Sequence, residues 1–324
     1  MSGNEHIPVL LEQAVEALIT ESNGCYVDAT FGRGGHSRKI LEQIGQEGRL
    51  LAIDRDDAAI VVAEKLAQQD ARFEIYKRNF SQLEELMKNT KMKGQVDGLL
   101  IDLGVSSPQL DVGERGFSFS EDGPLDMRMD QSLGMTAGEW LTDVEEEELA
   151  TVLKEYGEER FARRIARAIV EVRDTRAIET TSDLAEIIKQ AHPRWEKSRH
   201  PATRSFQAIR IHINGELDAL AQVLEQARGV LKQGGRLVVI SFHSLEDRMV
   251  KREIQGKGAA SKRVKPSFLE RRLLANMPTV DESPKVWKAL GKAVFAENSE
   301  VTQNPRSRSA VMRVAQRETY ASAI

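Results

Sequence analysis

Two short segments place acidic and glycine residues where apolar runs end. The first, Val27-Asp-Ala-Thr-Phe-Gly-Arg-Gly-Gly-His36, is followed by a helix-compatible run and a second apolar run that ends at Asp54. The second segment is Asp97-Gly-Leu-Leu-Ile-Asp102. In a parallel sheet, the carboxyl ends of neighbouring strands lie at the edge where ligands bind. The spacing from Gly32 to Asp54 therefore predicts a glycine loop and a ribose-binding acid in one crevice.

The glycine pattern decides between nucleotide cofactors. Gly32-x-Gly34-Gly35 is not the full G-x-G-x-x-G pattern of dinucleotide folds. Asp28, at the end of the first predicted strand, would repel a pyrophosphate but suits the ammonium and sulfonium of S-adenosylmethionine. The carboxylate of that cofactor can bind backbone N–H groups near Gly35 and His36. The motif favours S-adenosylmethionine over NAD, and an ordinary strand–helix turn is the remaining alternative.

The elements that position these residues follow from the hydrophobic pattern. Strands are predicted over 25–29, 50–53, 73–76 and 96–101. Helices are predicted over 8–18, 37–44, 57–68 and 81–87, the last with Ser81 as its N-cap. This alternation is typical of a right-handed parallel α/β sheet.

After residue 110 the strand pattern stops until about residue 203. A long loop is predicted over 112–135, and helices over 143–156, 159–172 and 183–191, the last capped by Ser182. A long helix over 208–231 follows, and then a central strand over 236–242 and strands near 286–290 and 310–315. We therefore predict a helical module inserted after the fourth strand.

Composition and charge narrow the class of protein. The chain has 324 residues, is 40% apolar and 30% charged, and has one cysteine, Cys25, which excludes an intrachain disulfide and a thiolate metal cluster. We expect no metal site. The segment Met1–His6 lacks a signal sequence, and no apolar run reaches membrane-spanning length, so the expectation is a cytoplasmic enzyme without a membrane partner.

Charge is distributed unevenly along the chain. Residues 1–159 carry a net charge of −17, whereas residues 160–210 carry +6 and residues 251–324 carry +8. Basic zones of this kind are typical of a surface that binds nucleic-acid phosphates, although a solvated helix surface has the same composition.

Several blocks, in order over nearly the whole length, resemble the bacterial 16S rRNA cytosine-N4 methyltransferases, the RsmH/MraW family. The most specific blocks are Asp102-Leu-Gly-Val-Ser-Ser-Pro-Gln-Leu-Asp111 and Ser241-Phe-His-Ser-Leu-Glu-Asp-Arg248. Others are His6-Ile-Pro-Val-Leu10, Asp28-Ala-Thr-Phe-Gly-Arg-Gly-Gly-His-Ser37, Ile53-Asp-Arg-Asp56, Arg115-Gly-Phe-Ser-Phe119, Leu125-Asp-Met-Arg-Met129, His200-Pro-Ala-Thr-Arg204 and Asn304-Pro-Arg-Ser-Arg-Ser-Ala310. Little resemblance beyond basic character is found over 255–295.

The resemblance implies a Rossmann-like, class I S-adenosylmethionine-dependent methyltransferase sheet with an inserted all-α domain. On this basis the core spans 1–109 and 205–324, and the inserted substrate-recognition domain spans 110–204. The implied reaction is methyl transfer to N4 of a cytosine in the decoding centre of 16S rRNA, at the P-site region. The implied cofactor contacts are Gly34, Gly35, His36, Asp54, Phe80, Asp102 and Gln109.

The type of acceptor atom can also be tested against the residues. Methylation of cytosine at C5 generally needs a cysteine nucleophile, and Cys25 lies at the wrong end of its predicted strand. Methylation of the amino group needs no covalent intermediate and is helped by an acceptor near the amino hydrogens, for which Asp102 and a backbone carbonyl within 103–108 are the candidates. The chain lacks the (Asp/Asn/Ser)-Pro-Pro-aromatic motif of DNA amino-methyltransferases here, which disfavours DNA as the substrate and leaves the identity of the acceptor open.

Further residues are candidates for contact with RNA. His243 and Ser244 follow the central strand, with a helix cap as the alternative role. Trp195 lies in a basic segment suited to base stacking and phosphate contact, or it packs beneath a loop. The full set of candidate substrate-binding residues is Ser107, Pro108, Trp195, Arg199, Arg204, His243, Ser244, Arg306 and Arg308.

The expected partner is 16S rRNA within the 30S subunit, although naked rRNA is also compatible with the sequence. Two other functions stay open, namely a small-molecule methyltransferase and a non-catalytic ribosome-assembly factor that keeps the cofactor pocket. The sequence does not determine the oligomeric state, and a homodimer is compatible with it.

Overall fold

The computed structural model describes residues 8–193, 200–257 and 286–318, and these form two compact units. Among the described residues, the first unit contains 8–104, 218–257 and 286–318, and the second contains 105–193 and 200–217. These bounds differ from those of the predicted helical insertion at 110–204, which stays a prediction. Within the described ranges, no helix is long and apolar enough to span a bilayer.

The first unit is built on one mixed sheet. Its strands are β1 Cys25–Asp28, β2 Arg49–Asp54, β3 Phe73–Lys77, β4 Val96–Asp102, β5 Leu231–Ser241, β6 Trp287–Ala289, β7 Val294–Phe295 and β8 Val311–Arg317. The strand order is β3-β2-β1-β4-β5-β8-β6, with β7 also pairing with β8. Strands β1 to β5 pair in parallel, and β8 is antiparallel to its neighbours. The predicted α/β sheet is confirmed, and β1, β2 and β4 end at one edge.

Helices precede, connect and follow these strands. They are α1 Leu11–Leu18, α2 Gly35–Gln43, α3 Asp57–Gln69, α4 Leu83–Asn89, α5 Ser107–Asp111, α6 Ala137–Asp143, α7 Glu146–Gly157, α8 Ala162–Arg173, α9 Thr181–Ala191, α10 Thr203–Asn214, α11 Glu216–Val230, α12 Ser244–Ile254 and α13 Asn298–Gln303. Helices α5 to α10 belong to the second unit. In the described part of that unit, the strand-like pairing is a single bridge between Pro124 and Thr180.

The core of the first unit covers both faces of the sheet. Neighbouring residues of β4 alternate between two buried clusters, with Leu99 in one and Leu100 in the other. Residues of α4, α11 and α12 share the cluster of Leu99, and residues of α1, α2 and α3 share the cluster of Leu100. Because both faces are covered, the central strands are continuously apolar and can end abruptly in polar residues.

Three local predictions are wrong. The single helix over 208–231 is two helices, because Gly215 has a φ of +58°, in the left-handed region that ends a helix. Hydrophobic periodicity does not register a turn of one residue. Ser81 is not a cap, since Asn79 accepts its N–H at the start of a 3₁₀ turn, and Thr180 rather than Ser182 caps α9. In both cases the cap lies two residues earlier than predicted.

Candidate active site

The loop from β1 to α2 is held by a buried carboxylate. Asp28 is 1% exposed, and its Oδ1 accepts a hydrogen bond from the Thr30 N–H at 3.1 Å. Its Oδ2 accepts one from the Ser37 hydroxyl at 2.6 Å. Burial raises the pKa of Asp28 to about 6, and the nearby carboxylate of Asp54 adds to this rise. Asp28 thus ties the glycine loop to the first turn of α2.

Packing within the chain requires the two central glycines of this loop. Gly34 has a φ of +75°, and a Cβ there would lie 2.5 Å from Cζ of Phe31. A Cβ on Gly35 would lie 2.0 Å from Cγ of Pro8, in the segment before α1. With glycine at both positions, the chain can form the start of α2 beside Phe31 and Pro8. No described side chain caps this helix. Such a helix start offers N–H groups to an anion.

Asp54 fixes the other side of the loop. Its Oδ2 accepts the N–H of Gly32 at 2.7 Å, and its Oδ1 accepts the N–H of Asp56 at 2.9 Å. Burial raises the pKa of Asp54, although these backbone hydrogen bonds act against the rise. The backbone N–H of Arg55 also bonds to this carboxylate, and two carboxylate oxygens together offer about four lone-pair sites. The sequence motif thus brings Gly32 and Asp54 together, as predicted from their spacing.

Asp102, at the end of β4, lies next to His36. Its Oδ2 is 3.6 Å from Nδ1 of His36, and its backbone N–H donates to the Thr30 hydroxyl oxygen at 2.7 Å. Its Oδ1 is buried and has no hydrogen-bond partner among the described residues. A buried acceptor without a partner is costly, and it is a position where a ligand hydrogen fits.

The surroundings of Asp102 are acidic. Burial raises its pKa well above the ordinary value, and the carboxylates of Asp28 and then Glu246 raise it further. Glu246 is 2% exposed, and its Oε2 accepts the N–H groups of Phe242 at 2.8 Å and His243 at 3.3 Å. Sequence reasoning did not select Glu246. The signal was present in the three-residue spacing from His243, which forms a capping box at the start of α12.

His243 and Ser244 begin α12 and belong to the same unit as Asp102. His243 is the N-cap of the helix, and its Nδ1 accepts the N–H of Glu246 at 3.5 Å. This is the capping role that the sequence offered as the alternative to base contact. Contact of His243 and Ser244 with substrate therefore stays a prediction.

The other predicted residues are distributed between the two units. Phe80 starts a 3₁₀ turn after β3 and is half-buried against the core. Arg306 and Arg308 are exposed on the 3₁₀ turn Pro305–Ser309 of the first unit. The remaining predicted residues with described positions lie in the second unit, namely Ser107, Pro108 and Gln109 in α5 and Arg204 in α10.

Within α5, the side chain of Gln109 already has a structural role. Its Oε1 accepts the N–H of Ser106 at 2.9 Å as part of a capping box. Trp195 and Arg199 lie outside the described residues, so their predicted contact with RNA is untested.

The first unit contains groups that fit S-adenosylmethionine. The uncapped start of α2 fits a carboxylate, and the lone pairs of Asp54 fit ribose hydroxyls. The ring of Phe80 fits a flat aromatic base. These groups match S-adenosylmethionine, the cofactor that the glycine pattern favours.

Residues 3–318 match the sequence model of the MraW methylase family. Similar solved structures include a proposed rRNA methylase from Clostridium thermocellum, with 11% identity, 97% of this chain and 98% of that chain covered, and a TM-score of 0.42. An rRNA methylase from Streptococcus thermophilus has 10% identity, covers 95% and 93%, and has a TM-score of 0.37. Fibrillarin from Aeropyrum pernix, with S-adenosyl-L-methionine bound, has 10% identity, covers 94% and 73%, and has a TM-score of 0.38.

Proposed function

This chain belongs to the MraW methylase family, and we propose that it methylates the exocyclic N4 of one cytosine in the decoding centre of 16S rRNA. The family uses S-adenosylmethionine as the methyl donor. When bound, this cofactor supplies an electrophilic methyl group on a sulfonium sulfur. The protein then has to hold the amino nitrogen in line with that methyl group and receive one of its hydrogens.

The proposed cofactor contacts follow the groups at the sheet edge. Backbone N–H groups at the start of α2 hold the carboxylate, and glycine at positions 34 and 35 lets the chain form that start against Phe31 and Pro8. Asp54 accepts the ribose hydroxyls, and Phe80 packs on the adenine. Gln109 is retained as a predicted contact on the strength of the family resemblance.

Asp102 supports the proposal that an amino nitrogen receives the methyl group. Its Oδ1 is buried and lacks a partner, so a donor N–H from the substrate would satisfy it. The N4 amino group loses one proton for each methyl group that it gains, and Asp102 is the acceptor in this proposal. Such a role for a positioned carboxylate typically contributes about 10²- to 10⁴-fold in rate.

The cysteine argues against methylation at C5. Cys25 starts β1, at the opposite end of the strand from Asp28, and burial raises the pKa of its thiol to about 12. Its N–H donates to Oδ2 of Asp97 at 2.8 Å, at the beginning of β4. A thiol that is buried, protonated and at the opposite end of β1 from Asp28 is unsuited to attack a base.

An RNA substrate is supported by charge. Residues 160–210 and 251–324 are basic, and Arg306 and Arg308 are exposed in the first unit. Lysine and arginine side chains supply the phosphate contacts that orient a nucleic acid. We propose that the substrate is the 30S particle.

The test is methyl transfer from labelled S-adenosylmethionine to 30S subunits that lack the modification, followed by mass spectrometry of rRNA fragments. We expect one N4-methylcytosine in the decoding centre. Naked 16S rRNA and a small-molecule pool are assayed in parallel. A methyl group on another atom, or transfer only to small molecules, would refute the proposal.

Asp102→Asn is the variant that examines the acceptor. At saturating cofactor we expect transfer to fall by about 100-fold, because the amide offers a weaker base of similar shape. Glu47→Gln, an exposed carboxylate in a loop, is the control and should leave transfer unchanged. Full transfer by Asp102→Asn would assign the acceptor to another group.

A further inference from the structure

His36 lies between a carbonyl and a carboxyl group. The residue is 5% exposed, with Nε2 3.2 Å from the carbonyl oxygen of Val9 and Nδ1 3.6 Å from Oδ2 of Asp102. A carbonyl oxygen only accepts hydrogen bonds, so the contact with Val9 places a hydrogen on Nε2. In a neutral ring, Nδ1 then presents a lone pair toward Asp102.

Two lone pairs facing each other in a buried site repel, and a proton between them removes that repulsion. We propose that His36 and Asp102 hold one such proton between them, and that His36 is thereby a positioning residue that keeps Oδ1 of Asp102 a hydrogen-bond acceptor. The proton is either on Nδ1, facing a carboxylate, or on Oδ2, facing the imidazole. In both forms Oδ1 carries no hydrogen. The distance of 3.6 Å exceeds a hydrogen bond, and such contacts commonly shorten when substrate binds.

The charged groups around Asp102 explain why a positioning residue is needed. Asp28 faces it from β1 and Glu246 from α12, and both raise its pKa. Nε2 of His243 lies 3.1 Å from Oε1 of Glu246. His36 is the basic residue beside Asp102, with Nδ1 3.6 Å from Oδ2. A lone carboxyl group in these acidic surroundings binds a proton on either oxygen. A proton on Oδ1 would turn the acceptor into a donor and repel an amino hydrogen.

The carbonyl that sets the ring is itself held in place. The N–H of Leu10, the next residue, donates to Oε1 of Glu300 in α13 at 2.8 Å. Pro8, the preceding residue, packs against Gly35. The contact between Val9 and His36 is therefore supported from both sides, and the orientation of the ring does not depend on Asp102 alone.

The first test uses nitrogen-15 NMR of the protein without cofactor or RNA. In the wild type, we expect Nε2 of His36 to remain protonated across the titration, while Nδ1 reports the shared proton. Asp102→Asn should lower the pKa of His36, because the partner charge is gone. A His36 titration that is unchanged by Asp102→Asn, or an Nε2 that is unprotonated, would overturn the inference.

The second test compares two amide variants. In His36→Gln the amide nitrogen takes the position of Nε2 and retains the contact with the Val9 carbonyl. In His36→Asn the amide nitrogen takes the position of Nδ1 and faces Asp102. For His36→Gln, we expect the acid limb of the kcat–pH profile to move up by about one pH unit, a tenfold loss on that limb that is regained at high pH. His36→Asn should retain more activity at low pH than His36→Gln, because its amide N–H can still donate to Oδ2 of Asp102.

These results separate a positioning role from a cofactor-binding or packing role. If His36 only bound the cofactor, His36→Gln would raise the KM for cofactor and leave the kcat–pH profile unchanged. That result would refute the inference. If the variants do not fold, the NMR result for Asp102→Asn decides. The inference uses the proposed function only for the amino acceptor. The NMR test can therefore succeed while 30S methylation fails, or the reverse.

Discussion

Asp28→Asn should stabilise the protein at neutral and alkaline pH. Asp28 is 1% exposed, and the pKa of its carboxyl group is raised from the ordinary value of 3.8 to about 6. Its proton is therefore bound more tightly in the folded chain than in the unfolded chain. Asparagine keeps the shape and an acceptor oxygen for the Thr30 N–H, and the hydroxyl of Ser37 can rotate to accept from the new amide.

The magnitude follows from linkage. A pKa raised by about two units disfavours the folded state by about 3 kcal/mol once the carboxyl is ionised in both states. At low pH the carboxyl is protonated in both states and this penalty is absent. Relative to alkaline pH the folded state is therefore favoured, and that advantage is lost as the pH rises from 3.8 through about 6. The neutral variant avoids the loss. We expect it to gain up to about 3 kcal/mol at pH 8 and about half of that at pH 5.

Urea unfolding of wild type and variant at pH 5 and pH 8, followed by circular dichroism, gives the two differences. Subtracting wild type from variant at each pH cancels the titration of groups that do not interact with Asp28. Glu47→Gln should change the free energy of unfolding by less than about 0.5 kcal/mol. An effect of Asp28→Asn that is the same at both pH values, or a destabilisation at pH 8, would refute the reasoning.

Two further predictions concern the thiol and one helix end. Because burial raises the pKa of Cys25 to about 12, an aromatic disulfide reagent should label it at pH 8 only after denaturant is added, and rapid labelling of the folded chain would contradict this. Lys91 is exposed with a φ of +60°, two residues past α4, so Lys91→Gly should stabilise by about 0.5 kcal/mol. Lys88→Gly, inside the same helix, should cost about 1 kcal/mol, and urea midpoints that change in the same direction for both variants would show this reasoning to be wrong.

Much of the sheet and its loops can be read from local sequence patterns. Apolar runs that end in Asp28, Asp54 and Asp102 identified three strands and the polar residues at their ends, because buried strands are apolar throughout. The glycine loop was predictable for a similar reason, since a left-handed turn at Gly34 excludes most side chains. These features depend on residues that are close in sequence.

Other features depend on how distant segments pack. The contact of Val9 with His36, and that of Leu10 with Glu300, join residues far apart in the chain. No local pattern encodes such distances, and a shift of about 1 Å decides whether two polar groups bond. The role of Glu246 likewise appears only when α12 brings its carboxylate close to Asp102.

The sequence alone therefore determined the fold class, the glycine loop and the acids at the strand ends, because each follows from hydrophobic periodicity and backbone sterics. Only the tertiary structure decided which nitrogen of His36 faces Asp102 and which oxygen of Asp102 is left without a partner. Protonation in a buried site depends on the distances to all neighbouring charges, and those distances exist only once the chain has packed.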